Sequence, residues 1–84
     1  MGYTIKLTKK AQKFIKAQQP KQQERLLKAI YKLPTEGDIK SLSGRKNAYR
    51  LRVGDYRVVY EVNHDILLVT VLDAGNRGQI YNSI

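Results

Sequence analysis

The chain has 84 residues, enough for one modest core and a single domain over residues 1–84, with little stability to spare. It has no cysteine, so neither disulfides nor a thiolate metal site can support it, and no apolar stretch approaches the roughly 20 residues that span a bilayer. Sixteen Lys and Arg against seven Asp and Glu give a net charge of +9, which suits an anionic partner such as a nucleic acid, a ribosome or an acidic protein, or else a solvated basic surface.

Met1 to Ile5 lacks the long apolar run of a signal peptide, so the expected location is the cytoplasm. Tyr3 to Leu7 alternates Tyr, Ile and Leu with Thr and Lys and predicts a first strand. Thr8 is placed to cap a helix running to about Gln19, with Ala11, Phe14 and Ile15 toward the core. Pro20 fits the first turn of a second helix, where its missing N–H costs nothing. Leu26, Leu27, Ile30 and Leu33 form one stripe of it, and Pro34 stops it. The Lys-rich outer faces of this helical hairpin read as solvated surface or as contacts to RNA or a ribosome. Residues 34–47 read as a long polar connection pinned by Ile39 and Leu42, of a length that is often functional.

Tyr49 to Tyr60 is the most informative stretch. Tyr49, Leu51 and Val53 alternate with Arg50 and Arg52; after Gly54-Asp55, Tyr56, Val58 and Tyr60 alternate with Arg57, Val59 and Glu61. This is a β-hairpin with an apolar face and an arginine face. With Gly54 and Asp55 as the loop, Arg52 falls opposite Arg57, and like charges across a sheet destabilise it. A turn at Asn63-His64-Asp65 leads into a strand from Ile66 to Leu72, apolar on nearly both faces and therefore central. The tail from Asp73 to Ile84 reads as a turn with a possible helical turn, which would put Arg77 and Tyr81 on one side. The order strand, helix, helix, three strands predicts an α+β domain: a small twisted, largely antiparallel sheet with the N-terminal helical hairpin packed on one face. The arginine face is then open.

Charge is divided along the chain. Residues 1–44 hold ten basic groups, nine of them Lys; residues 45–84 hold six, five of them Arg. Lys is a flexible point charge suited to general attraction, whereas the Arg fork grips phosphate bidentately. Arg50, Arg52, Arg57 and Arg77 with Tyr81 would make a phosphate site that needs no metal or cofactor, able to hold a scissile phosphate and the extra charge of its transition state. Alternating arginines also keep an exposed sheet soluble, and any one of them alone reads as solvated; only Glu61 is expected as an acidic neighbour. His64 reads as a turn residue, Asp73 as structural, and Tyr3, Tyr31, Tyr49, Tyr56 and Tyr60 as core or core-edge aromatics. No His, Cys, Asp or Glu set has metal-ligand spacing. Gly75-Asn76-Arg77-Gly78 has too few glycines for a nucleotide-binding loop.

The segments Asn47-Ala48-Tyr49-Arg50-Leu51-Arg52-Val53-Gly54-Asp55-Tyr56-Arg57-Val58-Val59-Tyr60 and Val71-Leu72-Asp73-Ala74-Gly75-Asn76-Arg77-Gly78-Gln79-Ile80-Tyr81 resemble the RelE/ParE superfamily of toxins, in its RelE-like branch. The resemblance implies the toxin of a type II toxin-antitoxin pair, a metal-independent endoribonuclease that cuts messenger RNA in the ribosomal A site. It implies three partners: an acidic cognate antitoxin, the ribosome and mRNA. Arg50 and Arg52 match two basic strand positions, often Lys in the best-known members. Arg57 matches the arginine at the scissile phosphate, and Arg77 and Tyr81 match the C-terminal pair. The implied reaction is attack of the ribose 2′-OH on the adjacent phosphate. Arg cannot exchange a proton at ordinary pH, so proton transfer falls to Tyr81, whose ordinary pKa of about 10 neighbouring arginines can lower, or to Glu61. Two other readings stay open: a ParE-like inhibitor of DNA gyrase, and a non-catalytic RNA- or ribosome-binding domain.

Overall fold

Thr8 ends the first strand and starts the first helix in the computed structural model, which describes residues 2–77. Strand β1 (Thr4–Leu7) is followed by helix α1 (Lys9–Lys16), whose third amide donates to the Thr8 hydroxyl oxygen at 3.2 Å. Helix α2 (Pro20–Ile30) has Pro20 in its first turn, as the sequence predicts. It ends before Pro34 and tightens into i→i+3 bonds, with Lys32 N–H on the Ala29 carbonyl and Leu33 N–H on that of Ile30. Leu33 stays buried at the end of this turn, while Tyr31, expected at the core edge, is 61% exposed.

Four strands follow, one more than the sequence predicts: β2 (Asp38–Ser41), β3 (Ala48–Val53), β4 (Tyr56–Asn63) and β5 (Leu68–Asn76). The sheet order is β1-β5-β4-β3-β2, with β1 parallel to β5 and every other pair antiparallel. Strand β2 lies inside the stretch expected to be a long connection. Gly37, at φ +130°, turns the chain into β2 against Leu51, whose methyl would meet any Cβ there. The last hairpin also departs from expectation. Asn63 Oδ1 accepts from the amides of Asp65 and Ile66, and Leu67 adopts φ +53°. This side-chain-stabilised turn leaves Ile66 and Leu67 exposed, so β5 starts at Leu68 and runs on through the predicted turn to Asn76.

Both helices cover one face of the sheet. Ala11, Ile15, Leu26 and Ile30 meet Leu51, Val53, Val58, Tyr60, Val62, Val69, Val71 and Ala74 in one core. The helical hairpin is fixed over the start of β4, where Phe14 packs edge-on to Tyr56 and the Tyr56 hydroxyl donates to Gln18. No helix among the described residues is long and apolar enough to cross a membrane.

One irregularity matters for the outer face. Val59 pairs with Asp73 but Tyr60 pairs with Val71, so Leu72 has no partner in β4 and forms a bulge in β5. Its carbonyl accepts from the Thr8 hydroxyl at 2.8 Å, and the Val71 carbonyl accepts from Thr8 N–H at 3.0 Å. Thr8→Ala removes both the helix cap and the bulge anchor. It is expected to cost about 1–2 kcal/mol in a urea titration, and Thr8→Ser should recover most of this.

Tyr60 is 1% exposed and stacks on Tyr49 with ring centroids 5.5 Å apart. Burial, with a smaller contribution from Tyr49, pushes its phenol up to about 12. Below pH 10 the phenol is neutral folded or unfolded, so its contribution is complete. Between pH 10 and 12 only the unfolded chain releases the proton, and stability falls. The stability difference between Tyr60→Phe and the parent should therefore stay level below about pH 9. It should then move in the variant's favour up to pH 12 in denaturant titrations at stepped pH.

Candidate functional site

The sheet face opposite the helices is built from three rows of cross-strand partners. The first row is Asp38, Arg52, Arg57 and Gly75; the second is Lys40, Arg50, Val59 and Asp73; the third brings Ala48, Glu61 and Thr70 together. Arg52 does stand opposite Arg57, as the alternation requires. The turn between them has φ +60° at Gly54, the pattern of a hairpin that places Gly first in a two-residue loop. The face is less open than the sequence suggests. Val59 is 1% exposed and Arg57 and Asp73 are each 9%, while Arg52 remains exposed.

The facing arginines are drawn to different anchors. The Arg52 guanidinium pairs with the Asp38 carboxylate on β2, and Arg50 approaches the other oxygen of the same carboxylate at 3.8 Å. Arg57 turns the other way, donating to the carbonyls of Gly54 at 2.8 Å and Tyr56 at 2.9 Å. Among the described residues its hydrogen-bond partners are neutral carbonyls. They orient the guanidinium but do not cancel its charge, so an incoming anion meets a fixed, nearly buried cation. Such charge-assisted bonds are about twice as strong as neutral ones.

Arg77 joins the same end of the face. Its backbone N–H donates to the Asp55 carbonyl at 2.8 Å, extending the β4–β5 ladder to the hairpin turn. On the other side of that turn lies the Arg25 guanidinium of α2; a Cβ on Gly54 would stand 2.6 Å from its Nη2. The β3–β4 turn is thus flanked by Arg25, Arg57 and position 77. Tyr81 lies outside the described residues.

The expectation that Glu61 alone supplies an acid is overturned. Asp38 and Asp73 share the face, and Asp73 pairs with Lys10 at 3.1 Å across the edge of β5. Asp38 was missed because Asp-Ile-Lys-Ser is a short polar strand between turn-forming residues. Short charged strands of this kind are how sheets blunt an edge. The usable signal was Asp38-Ile39-Lys40, a charged pair about one apolar residue. Glu61 is held by Arg45 at 3.2 Å and lies four positions along β4 from Arg57, about 13 Å at ordinary strand rise. It is remote from Arg57, although its row adjoins that of Arg50. His64 sits in the β4–β5 turn as expected, its Nδ1 2.9 Å from the Tyr3 hydroxyl.

The family model described as "ParE toxin of type II toxin-antitoxin system, parDE" matches residues 5–81. The chain belongs to the RelE/ParE superfamily of type II toxins. Its relatives place it in the RelE-like branch. The RelE of a RelE-RelB complex from Pyrococcus horikoshii OT3 is 31% identical, with a TM-score of 0.77 over 94% of this chain and 99% of that one. A RelB-RelE antitoxin-toxin complex from Methanococcus jannaschii contains a chain 28% identical, with a TM-score of 0.74 over 94% and 98% of the two. Toxin RelE3 of Methanocaldococcus jannaschii is 52% identical over 31 residues, which are 37% of this chain and 35% of that protein.

In this RelE-like chain the hairpin turn supports the site directly, because the Gly54 carbonyl holds Arg57. Gly54→Ala forces a side chain into φ +60° and displaces Arg25. Thermal unfolding should show a loss of about 1–2 kcal/mol, whereas Arg25→Ala alone should change stability by less than about 0.5 kcal/mol.

Proposed function

We propose that this RelE-like toxin is a ribosome-dependent endoribonuclease that cuts mRNA in the A site, and that Arg50, Arg52, Arg57, Arg77 and Tyr81 carry the reaction. The observation that supports it most is the nearly buried Arg57 guanidinium, bonded among the described residues to neutral carbonyls, opposite Arg52 and beside the turn to which the Arg77 backbone is bonded. In this reading Arg57 and Arg77 grip the scissile phosphate, and Arg50 and Arg52 add charge that stabilises its pentacoordinate transition state. The ribose 2′-OH of the substrate is the nucleophile, which leaves a 2′,3′-cyclic phosphate on one fragment and a 5′-OH on the other. The protein therefore needs no nucleophile and no metal of its own. Tyr81 moves the proton, since arginines do not. The ribosome orients the RNA, and orientation lowers the barrier without further groups from the toxin.

The partners follow from the same chemistry. An acidic antitoxin silences the chain by covering the arginine face or placing a carboxylate among its guanidiniums, as a segment that folds on binding. RelE-RelB complexes among the relatives support an antitoxin as partner. Residues 1–84 act as one toxin domain in the cytoplasm, where translating ribosomes are found.

Arg57→Ala is expected to lower cleavage of a translated messenger by about a hundred- to thousand-fold, the usual loss for one transition-state donor. Tyr81→Phe should also slow it, and the double variant should leave the messenger intact. Mapping RNA ends on ribosomes, with detection of cyclic phosphate, reads the outcome. Undiminished cutting by the double variant would reject these residues. The ParE description of the family model favours gyrase inhibition as the second reading. Inhibited supercoiling with uncut ribosomal mRNA would support it, and salt-sensitive ribosome binding without cleavage would support a pure binding role.

A further inference from the structure

Asp38 touches two of the arginines at once. It opposes Arg52 across the β2–β3 pair, its Oδ2 meets Arg52, and its Oδ1 lies 3.8 Å from Arg50. The carboxylate is 44% exposed, and exposed ion pairs add little to fold stability. What the contact does is geometric. Arg50, largely buried, and Arg52, half-exposed, are long side chains two residues apart on one strand, repelling each other and Arg57. A carboxylate with one oxygen toward each draws both toward the β2 edge. The turn carbonyls hold Arg57 on the opposite side. The gap between these anchors is lined by cations whose directions are set beforehand.

We propose that Asp38 is a positioning residue for the arginine site: it fixes the Arg50 and Arg52 guanidiniums in the arrangement that receives the substrate phosphate. The proposal rests on the phosphate-binding reading above. It carries an unusual signature. As an anion beside the site, Asp38 weakens simple attraction for RNA, yet as an anchor it speeds the chemical step. Removing its charge should strengthen binding and slow cleavage.

The test uses the full chain carrying Asp38→Asn, which keeps the size and removes the charge, and Asp38→Glu. In nitrogen-15 spectra of the arginine Nε–H groups, Asp38→Asn should collapse the Arg50 and Arg52 signals toward those of free arginine and leave Arg57 unmoved. On ribosomes carrying mRNA, its single-turnover cleavage should fall about tenfold, in line with the sensitivity of rates to small misplacements. Its RNA affinity at low salt should rise about twofold, with a steeper salt dependence. Asp38→Glu should restore part of the rate. In an Arg52→Ala background, Asp38→Asn should have little further effect.

Unchanged Arg50 and Arg52 signals overturn the proposal whatever the activity. So does a rise in both rate and affinity, which would make Asp38 a competitor of substrate. So does a fall in both together with the melting temperature, which would make it structural. If the parent protein cuts no mRNA on ribosomes, the endonuclease reading fails instead. The spectra, repeated with and without inorganic phosphate, then decide the positioning role by themselves: phosphate should shift Arg50 and Arg52 together in the parent and not in Asp38→Asn.

Discussion

The extra residue at Leu72 is what allows a single sheet to carry a core on one face and cations on the other. Before the bulge, Val69 and Val71 point inward; after it, Ala74 does. Strict alternation from Val71 would have turned Asp73 and Gly75 toward the helices and carried position 77 with them. A carboxylate forced into that core would cost several kcal/mol. The bulge instead places Asp73 opposite Val59 and keeps 73, 75 and 77 in step with Arg57. Thr8 holds this shift in place. Its amide and hydroxyl bond the Val71 and Leu72 carbonyls while its oxygen caps α1. The start of the first helix and the aim of the last strand are therefore set by the same side chain.

The cationic face then has to be tolerated by the folded chain. Three carboxylates serve it, each at a margin: Asp38 for Arg50 and Arg52, Asp73 for Lys10, and Glu61 for Arg45. None of these pairs includes Arg57, whose bonds go to carbonyls of its own hairpin. Among the described residues, pairing at the rim limits self-repulsion while Arg57 keeps to neutral partners, the arrangement the proposed phosphate site requires. Strand β2 is central to this arrangement. As an edge strand it is short and charged, which discourages pairing with another chain, and the same charge steadies the arginines.

The hairpin from Tyr49 to Tyr60 was legible because its period of two was strict and its turn carried Gly. Its register, down to Arg52 opposite Arg57, followed from that turn alone. Helix starts at Thr8 and Pro20 were legible for equally local reasons. Three features were not. Strand β2 has only four residues and one apolar side chain turned to the core, so its pairing partner, not its own pattern, makes it a strand. Ile66 and Leu67 look like strand residues, but Asn63 folds the chain back before they can join the sheet. The bulge at Leu72 is invisible to any periodicity argument, because it is defined by β4 and by Thr8. As a result the arginines were found in the sequence and their carboxylate partners were not. Cations announce themselves by alternation within one strand, whereas counter-ions are set by pairing between strands.

Arginine at positions 50 and 52 has a consequence that lysine would not. A lysine beside three other cations is pressed toward its neutral form, so it can trade charge for proton chemistry. A guanidinium stays charged at any pH the fold survives. In the proposed reaction, charge stabilisation and proton transfer are then separate tasks. The cluster supplies a field that is constant with pH, and any pH dependence must come from a different group or from the substrate. For the reaction proposed above, a surface organised in this way has only to hold the phosphate, since the nucleophile and the orientation come from outside the protein.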